Sequence, residues 1–592
     1  MTYEQLVLFV ILAATLFGFV WNYWRYDIVA GLALMLAVYA GIVPAKSAFD
    51  GFAHPAVITV GAVLVISRAL QNTGIVDRLV RLLAPTRRTT TLQVGAGSGL
   101  VLLLSAVMNN VGALALMLPV TIRNAARARR SVSLLLIPLS FASLLGGMIT
   151  LIGTPPNLVI ASFREDYTGQ AFGMFDFTPV GGVVALAGLV YLTLIGWRLL
   201  PDKNGDTEAA RFRRKIDAFV AEVRVPEGSP FDDVGIGQLE DLCENEITVM
   251  AIHRDGERIY APHSQQILEV GDILVVQGDP SIWEPLCDGK RFDLLVRGEA
   301  SQQALATQAV ALAEAVVMPN SPLIGRSARR IRMHDNFGIN LLAVARQSNP
   351  TISRLKNTKF EVGDVLLMQG ERERLERTLA NIGCLILADR GSATASIGYR
   401  AWIGFGIFGF ALLTAASGLA SAPIALVSAA IAMVIARIVS LQEVYDSIEW
   451  PIIMLLGALI PLDLAMKTTG AASIIASSLI NIGGGMPVWA TIAIILVVSM
   501  WLSDLIHNTP TAVLMAPVAA GIAEGLQLSV DPFLMAVAVG SASAFLTPIG
   551  HQSNTLVMGP GGYNFTDYAR VGAPLQVIIL MVAVPAIVLV WM

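Results

Sequence analysis

Residues 503–521 read SDLIHNTPTAVLMAPVAAG, and residues 105–120 read SAVMNNVGALALMLPV. In each stretch a Ser is followed five residues on by an Asn, and nine residues after that by a Pro. Each drives a polar knot into a run of Ala, Leu, Met and Val. A single knot has a bland explanation, because Ser and Asn in membrane helices often serve only as interhelical hydrogen bonds worth roughly 0.6 kcal/mol apiece. A duplicated knot asks for more.

The surrounding composition sets the scene. Of 592 residues, 55% are hydrophobic and only 14% are charged, against about 25% charged in a soluble domain. Long apolar runs recur at 5–20, 28–45, 55–71, 132–152, 177–199, 401–417, 421–436, 450–466, 532–550 and 572–592. Many approach the ~20 residues that cross a bilayer core. The chain is therefore expected to be a polytopic α-helical membrane protein. The net charge of −4 gives no argument for nucleic acid. MTYEQL lacks the basic start of a cleavable signal.

One stretch differs. Residues 201–395 hold more than half of the Lys and Arg, together with Cys243, Cys287 and Cys384, which read as reduced thiols. Within it QILEVGDILVVQG is echoed by KFEVGDVLLMQG, with Gly271-Asp272 and Gly363-Asp364 separated by 92 residues. Ser229 and Ser321 share that offset. Two copies of a small α/β module are expected, each with a tight Gly-Asp turn feeding an apolar strand.

The membrane part repeats as well. Asp50, Pro55, Gly61 and Gly74 match Asp446, Pro451, Gly457 and Gly470 at an offset of 396. Asn110 matches Asn508 at 398, and GTPPN (153–157) matches GHQSN (550–554) at 397. The expected organisation is membrane repeat 1 over 1–200, modules over 201–300 and 301–396, and membrane repeat 2 over 397–592.

Charge gives orientation. Arg78, Arg81, Arg87 and Arg88 precede the first knot, and Arg123, Arg127, Arg129 and Arg130 follow it. If both flanks are cytoplasmic, the stretch between them is a re-entrant hairpin with its tip at Asn109-Asn110. The second knot, with no Lys or Arg in its flanks at 481–486 and 523–531, is then a hairpin opening outward. Five crossings plus one hairpin per half make the second half inverted, as in many secondary transporters. Irregular backbone at membrane depth persists only where protein buries it or where it lines a wet cavity. The two tips and the two broken helices thus mark a binding site near the midplane. GAGSG at 95–99 lacks the strand and acidic residue of a nucleotide loop and reads as close helix packing.

The motifs SAVMNNVGALALMLP, IGTPPN, SDLIHNTPTAVLMAP and TPIGHQSNTLVMGPGGY resemble the divalent anion/sodium symporter family over essentially all of 1–200 and 398–592. The inserted modules resemble the C-terminal lobe of RCK domains, the regulatory units of potassium channels and transporters. The combination is similar to the sulfate-type branch of the family. The resemblance implies one sodium site from Ser105, Asn110 and the backbone of Asn109 and Gly153. It implies a second from Ser503, Asn508 and the backbone of His507 and Gly550. Substrate would touch Asn109, Asn110, Thr154, His507, Asn508, Thr509 and His551. Where the family has Ser and Thr, this chain has Asn109, Val111 and His507. Two His residues supply donors, and positive charge if protonated, which suits a compact tetrahedral oxyanion better than a carbon chain. For Asp504 three roles are open: orienting His507, neutralising the second cation site, or carrying a proton.

The expected function is sodium-coupled symport of a small divalent inorganic anion, with sulfate first. The alternatives are a dicarboxylate or proton-coupled anion carrier and, further off, a regulated channel. A hydrolase using Ser503, Asp504 and His507 would explain only one of the two knots, so no enzyme is expected. No resident cofactor is expected either, sodium being the coupling ion. The expected partners are the anion, the bilayer, a second copy in a homodimer, and a nucleotide-type regulator at the insertion. The expected location is the inner (plasma) membrane, with the insertion cytoplasmic.

Overall fold

The computed structural model describes residues 2–592 apart from 22, 74–88, 129, 203–219, 244–246, 255, 261, 279–282, 288–289, 298–309, 320, 347–348, 352–356, 388–398, 418, 472–473 and 475–485. Arg78, Arg81, Arg87, Arg88 and Arg129, which entered the orientation argument, lie outside the described residues. In the first half the helices are α1 (Tyr3–Trp21), α2 (Tyr26–Tyr39), α3 (Pro55–Asn72), α4 (Thr90–Ser105), α5 (Asn110–Arg127), α6 (Leu136–Gly147), α7 (Pro155–Thr168) and α8 (Thr178–Leu194). In the second they are α9 (Tyr399–Ala416), α10 (Ala422–Ile435), α11 (Leu441–Ser447), α12 (Trp450–Thr469), α13 (Val488–Ile506), α14 (Asn508–Gly525), α15 (Asp531–Ser541), α16 (Gln552–Gly561) and α17 (Phe565–Trp591).

Among the described residues, α13 and α17 are long and apolar enough to cross a bilayer unaided. Others are shorter. Helices α2 and α10 have 14 residues each, about 21 Å at 1.5 Å per residue, against a core of about 30 Å. Pro at the first or second position starts α7, α8, α10 and α15, where a missing N–H costs nothing.

The halves interlock through polar contacts sealed in apolar packing. Arg164 on α7 forms a two-pronged pair with Asp531 at the start of α15, at 2.8 and 3.0 Å. Ser140 Oγ donates to Asn554 Oδ1 at 2.8 Å, beside the edge-on Phe141–Phe545 pair. Tyr563 donates its hydroxyl to the Ser133 carbonyl and accepts from the Ile137 N–H.

Between the halves stand two five-stranded antiparallel sheets. The first contains β1 (Val220–Arg224), β2 (Ile247–Arg254), β3 (Glu257–Tyr260), β4 (Ile273–Gly278) and β5 (Asp293–Arg297), in the order β3-β2-β4-β1-β5. The second contains β6 (Val310–Val317), β7 (Ile339–Arg346), β8 (Asn349–Thr351), β9 (Val365–Glu371) and β10 (Cys384–Ile386), in the order β10-β6-β9-β7-β8. Read from the opposite edge, the second order is the first one repeated. The Gly-Asp turn is fixed in the same way in both. Arg254 grips Asp272 with two nitrogens and also reaches Glu269 and the Ile267 carbonyl. Arg346 repeats this on Asp364, Glu361 and the Lys359 carbonyl. All of these offsets are 92. The sheets meet within one chain: Met250, Ala251 and Val275 share an apolar cluster with Leu342, Ala343 and Leu367, and Gln277 Nε2 donates to the Leu342 carbonyl at 2.6 Å.

Candidate functional site

The site is built from two tips and two breaks that copy one another bond by bond. At the tips, Ser105 Oγ lies 2.7 Å from the Asn110 amide, and Ser503 Oγ lies 2.8 Å from Asn508 Oδ1. At the breaks, Asn157 Nδ2 donates to the carbonyls of Gly147 and Thr150, while Asn554 Nδ2 donates to those of Ala544 and Thr547. A threonine then ties each break to its tip: Thr150 Oγ1 to the Ala106 carbonyl, Thr547 Oγ1 to the Asp504 carbonyl. Sequence reasoning missed Thr150 and Thr547, although they repeat at the same 397-residue offset as the breaks.

Each tip gathers oxygens. The outer end of the Asn110 amide lies 2.7 Å from Ser105 Oγ, 3.1 Å from the Ser143 carbonyl and 3.2 Å from the Gly153 carbonyl. With its NH2 turned that way, the amide's two hydrogens are shared among these three acceptors. With its oxygen turned that way, four oxygens face one another, which is a ligand set for a hard cation. Gly147 permits the approach, since a side chain there would collide with the Asn110 amide. At the second tip, Ser503 Oγ sits 2.8 Å from Asn508 Oδ1 and 2.5 Å from the Ser541 carbonyl. Three oxygens there share a single hydroxyl hydrogen.

Between tips and breaks lies a cavity of about 70 Å³ lined by Asn109, Thr154, His507, Asn508, Thr509 and His551, with Tyr26, Glu449, Gly550 and Gln552. It exceeds the ~10–15 Å³ that one water needs, so it has room for one compact ion. Asn110 is not in the lining; it is buried on the oxygen side. Asn109 is in the lining, but its amide is already committed, with Oδ1 capping α5 through the Val111 N–H and Nδ2 donating to Glu449 at 2.9 Å.

Six buried donors have no partner among the described residues, and two of them are Thr154 Oγ1 and Asn508 Nδ2. Both belong to cavity-lining residues. A buried unsatisfied polar group costs about 1–3 kcal/mol, so such a pair in one wall points to a ligand that accepts hydrogen bonds. His551 adds a third donor. Its Nδ1 accepts from the Ser553 N–H at 3.0 Å, capping α16, so the neutral ring carries its proton on Nε2. The prolines after Thr154 take the first N–H groups away from α7, so helix α7 offers its dipole but few amide donors. His507 stands at φ 73°, ψ 160°, a region nearly reserved for Gly that costs of order 1–3 kcal/mol. Its ring meets Tyr26 edge-on at 6.2 Å.

Tyr26 and Glu449 were not legible as site residues. Glu449 falls at the bend between α11 and α12, and its match in the first half is Ala53, so the repeat gave no signal. Asp504 does not hold His507. It accepts from the Leu546 N–H and from Gln576. Ser503 does not bond His507 either, so the three groups form no nucleophile–base relay.

The model of the citrate transporter family (CitMHS) matches residues 16–540. The chain belongs to that family. A transporter of Synechocystis is 32% identical over 584 residues, spanning 96% of this chain and 94% of the relative. The transporter YfbS of Escherichia coli is 30% identical over 594 residues, 95% of each chain. Sodium/sulfate cotransporter 2 of Chlamydomonas reinhardtii is 29% identical over 363 residues, 57% of this chain and 40% of that one. As a member of the citrate transporter family the protein is a membrane transporter and not an enzyme.

Proposed function

We propose that the protein is a sodium-coupled symporter of a small divalent anion, sulfate first, working by alternating access between two inverted halves with re-entrant hairpins. The carrying observation is the split role of Asn508. Its oxygen belongs to the oxygen cluster with Ser503, and its NH2 is an unpartnered donor of a cavity-lining residue. One planar amide thus offers an acceptor to a cation and a donor to an anion, so filling either site orients the group for the other. Thr154 extends the arrangement from the first half, following Gly153 directly. The names of the Chlamydomonas cotransporters favour sodium and sulfate. The sodium ligands are then Ser105, Asn110, Gly153, Ser503, Asn508 and Gly550, with the backbone of Asn109 and His507 closing each shell. The anion meets Thr154, Asn508, Thr509, His507 and His551, with Asn109 set by Glu449.

Labelled sulfate uptake into proteoliposomes, with and without an inward sodium gradient, tests this. Succinate, citrate and phosphate serve as competitors. Uptake driven by a pH gradient alone, or labelled sulfate displaced more readily by succinate, citrate or phosphate than by unlabelled sulfate, would sink it.

A second reading, a proton-coupled or hydroxyl-bearing carboxylate carrier, draws on Glu449. A bare dianion gains nothing from a carboxylate in its cavity wall, whereas a substrate that brings a hydrogen does. Sodium-independent uptake in an acid pulse, abolished by Glu449→Gln, would favour it.

We place the protein in the inner (plasma) membrane with the insertion in the cytoplasm, in line with Arg123 and Arg127 toward the end of α5, Arg130 just after it and Arg198 before the insertion. RCK-like modules there would bind a nucleotide-type regulator or hold a homodimer. Deleting 205–393 distinguishes these: loss of a nucleotide response supports the first, bare dissociation of dimers the second.

A further inference from the structure

The second sheet touches the membrane core at one place of unusual closeness. Gly363, in the turn before β9, lies against α16 at φ 82°; a Cβ there would stand 2.5 Å from the Thr555 carbonyl oxygen. Gly559, one turn along α16, faces the Gly363 carbonyl so closely that a Cβ would overlap it, and Val365 flanks the contact. Only glycine on both sides permits this approach. The turn is held rigid from behind by Arg346, bonded to Asp364, Glu361 and the Lys359 carbonyl. Ahead of it, Thr555 Oγ1 bonds the Pro548 carbonyl of the break, and α16 begins at its cap His551, in the cavity wall. A short stiff path therefore runs from the inserted sheet to the site.

The first sheet supplies the comparison. Gly271 occupies the same turn, at φ 93°, behind the same arginine clamp, and none of the described residues lies within 4 Å of where its Cβ would be. Turn geometry explains a glycine in both sheets; only the second turn docks. We propose that the Glu361–Asp364 turn is a latch on α16, docked in one access state and released in the other, through which the inserted sheets control transport. Alternating access requires the cavity wall to change its partners, and a contact made in one state alone shifts the balance between states by its own free energy. The latch rests on membership of a transporter family, not on the identity of the anion.

Wild type, Gly363→Ala, Gly559→Ala and Gly271→Ala are reconstituted at equal amounts of folded protein and offered labelled sulfate, phosphate, succinate or citrate. The anion panel separates failure of the sulfate reading from failure of the latch. Gly363→Ala and Gly559→Ala are expected to change the initial rate by at least about threefold, while Gly271→Ala, which carries the same turn strain without the contact, stays at the wild-type rate. Loosening the turn from behind decides the matter should either alanine variant misfold, because it adds no atom at the contact. Arg346→Leu removes the clamp on Asp364 and Glu361 and is expected to change the initial rate by at least about threefold. Arg254→Leu, which removes the same clamp from the first sheet, is expected to stay at the wild-type rate. Wild-type rates in both Gly363→Ala and Gly559→Ala, an equal change in Gly271→Ala, or an equal effect of Arg254→Leu and Arg346→Leu overturns the proposal.

Discussion

Gln576 on α17 donates its side-chain amide to Asp504 Oδ2 at 2.7 Å, and the same nitrogen reaches the Ser543 carbonyl at 3.0 Å. The carboxylate nearest the second tip is thereby turned away from His507 and toward the last helix. Removing the amide strands a buried carboxyl, which costs about 1–3 kcal/mol. Gln576→Leu is expected to lower the apparent Tm in detergent, and so is Asp504→Asn, whose NH2 must face the donor of either Leu546 or Gln576. Equal melting of Gln576→Leu and wild type would show that the pair contributes nothing.

The oxygen clusters at the two tips lead to a sodium prediction. Asn110→Ala and Asn508→Ala each remove an amide oxygen, and each is expected to raise the sodium concentration for half-maximal uptake by about tenfold, or about 1.4 kcal/mol. Asn508→Ala should also weaken the anion, because it deletes the cavity donor; Asn110→Ala should not. Sodium titrations at several anion concentrations read both effects, and unchanged sodium dependence in both variants refutes the assignment.

His507 and His551 separate donor function from backbone function. His551→Thr keeps a side-chain cap for α16 but loses the ring N–H, so the protein should melt normally while sulfate competes more weakly. His507→Gly relieves the φ of 73° and should raise the apparent Tm while weakening sulfate. Thermal melts paired with competition assays check the opposed signs. Sulfate competition untouched in both variants would make the pair structural.

The arginine clamps offer a test of sheet stability through a thiol. Burial pushes the Cys384 thiol on β10 up to about 12 from an ordinary value near 9. The folded sheet therefore binds an extra proton between those values. Its stability is full below about pH 9 and declines as pH rises toward 12. At pH 8 alkylation of Cys384 should wait for the sheet to open. Arg346→Leu should accelerate it; Arg254→Leu, in the other sheet, should not. Mass spectrometry of labelled protein resolves the two.

The repeats were legible in the chain because polar residues in apolar helix are rare enough to act as markers. Ser105 and Asn110 against Ser503 and Asn508, and Asn157 against Asn554, fixed the two-fold relation of tips and breaks without any coordinates. The Gly-Asp turns fixed the doubling of the inserted sheets in the same way. Which neighbour faces the cavity was not legible. Successive residues at a helix start point about 100° apart, so Asn109 enters the lining and Asn110 the oxygen cluster. Glu449 and Tyr26 reach the site from the bend before α12 and the start of α2, with no repeat partner to announce them. The contact of Gly363 with Gly559 joins residues nearly two hundred positions apart by close backbone packing, which leaves no mark in local sequence beyond a glycine that the turn already required. Periodicity and symmetry belong to the chain, whereas the direction of a side chain and the meeting of two distant glycines are set only when the elements pack.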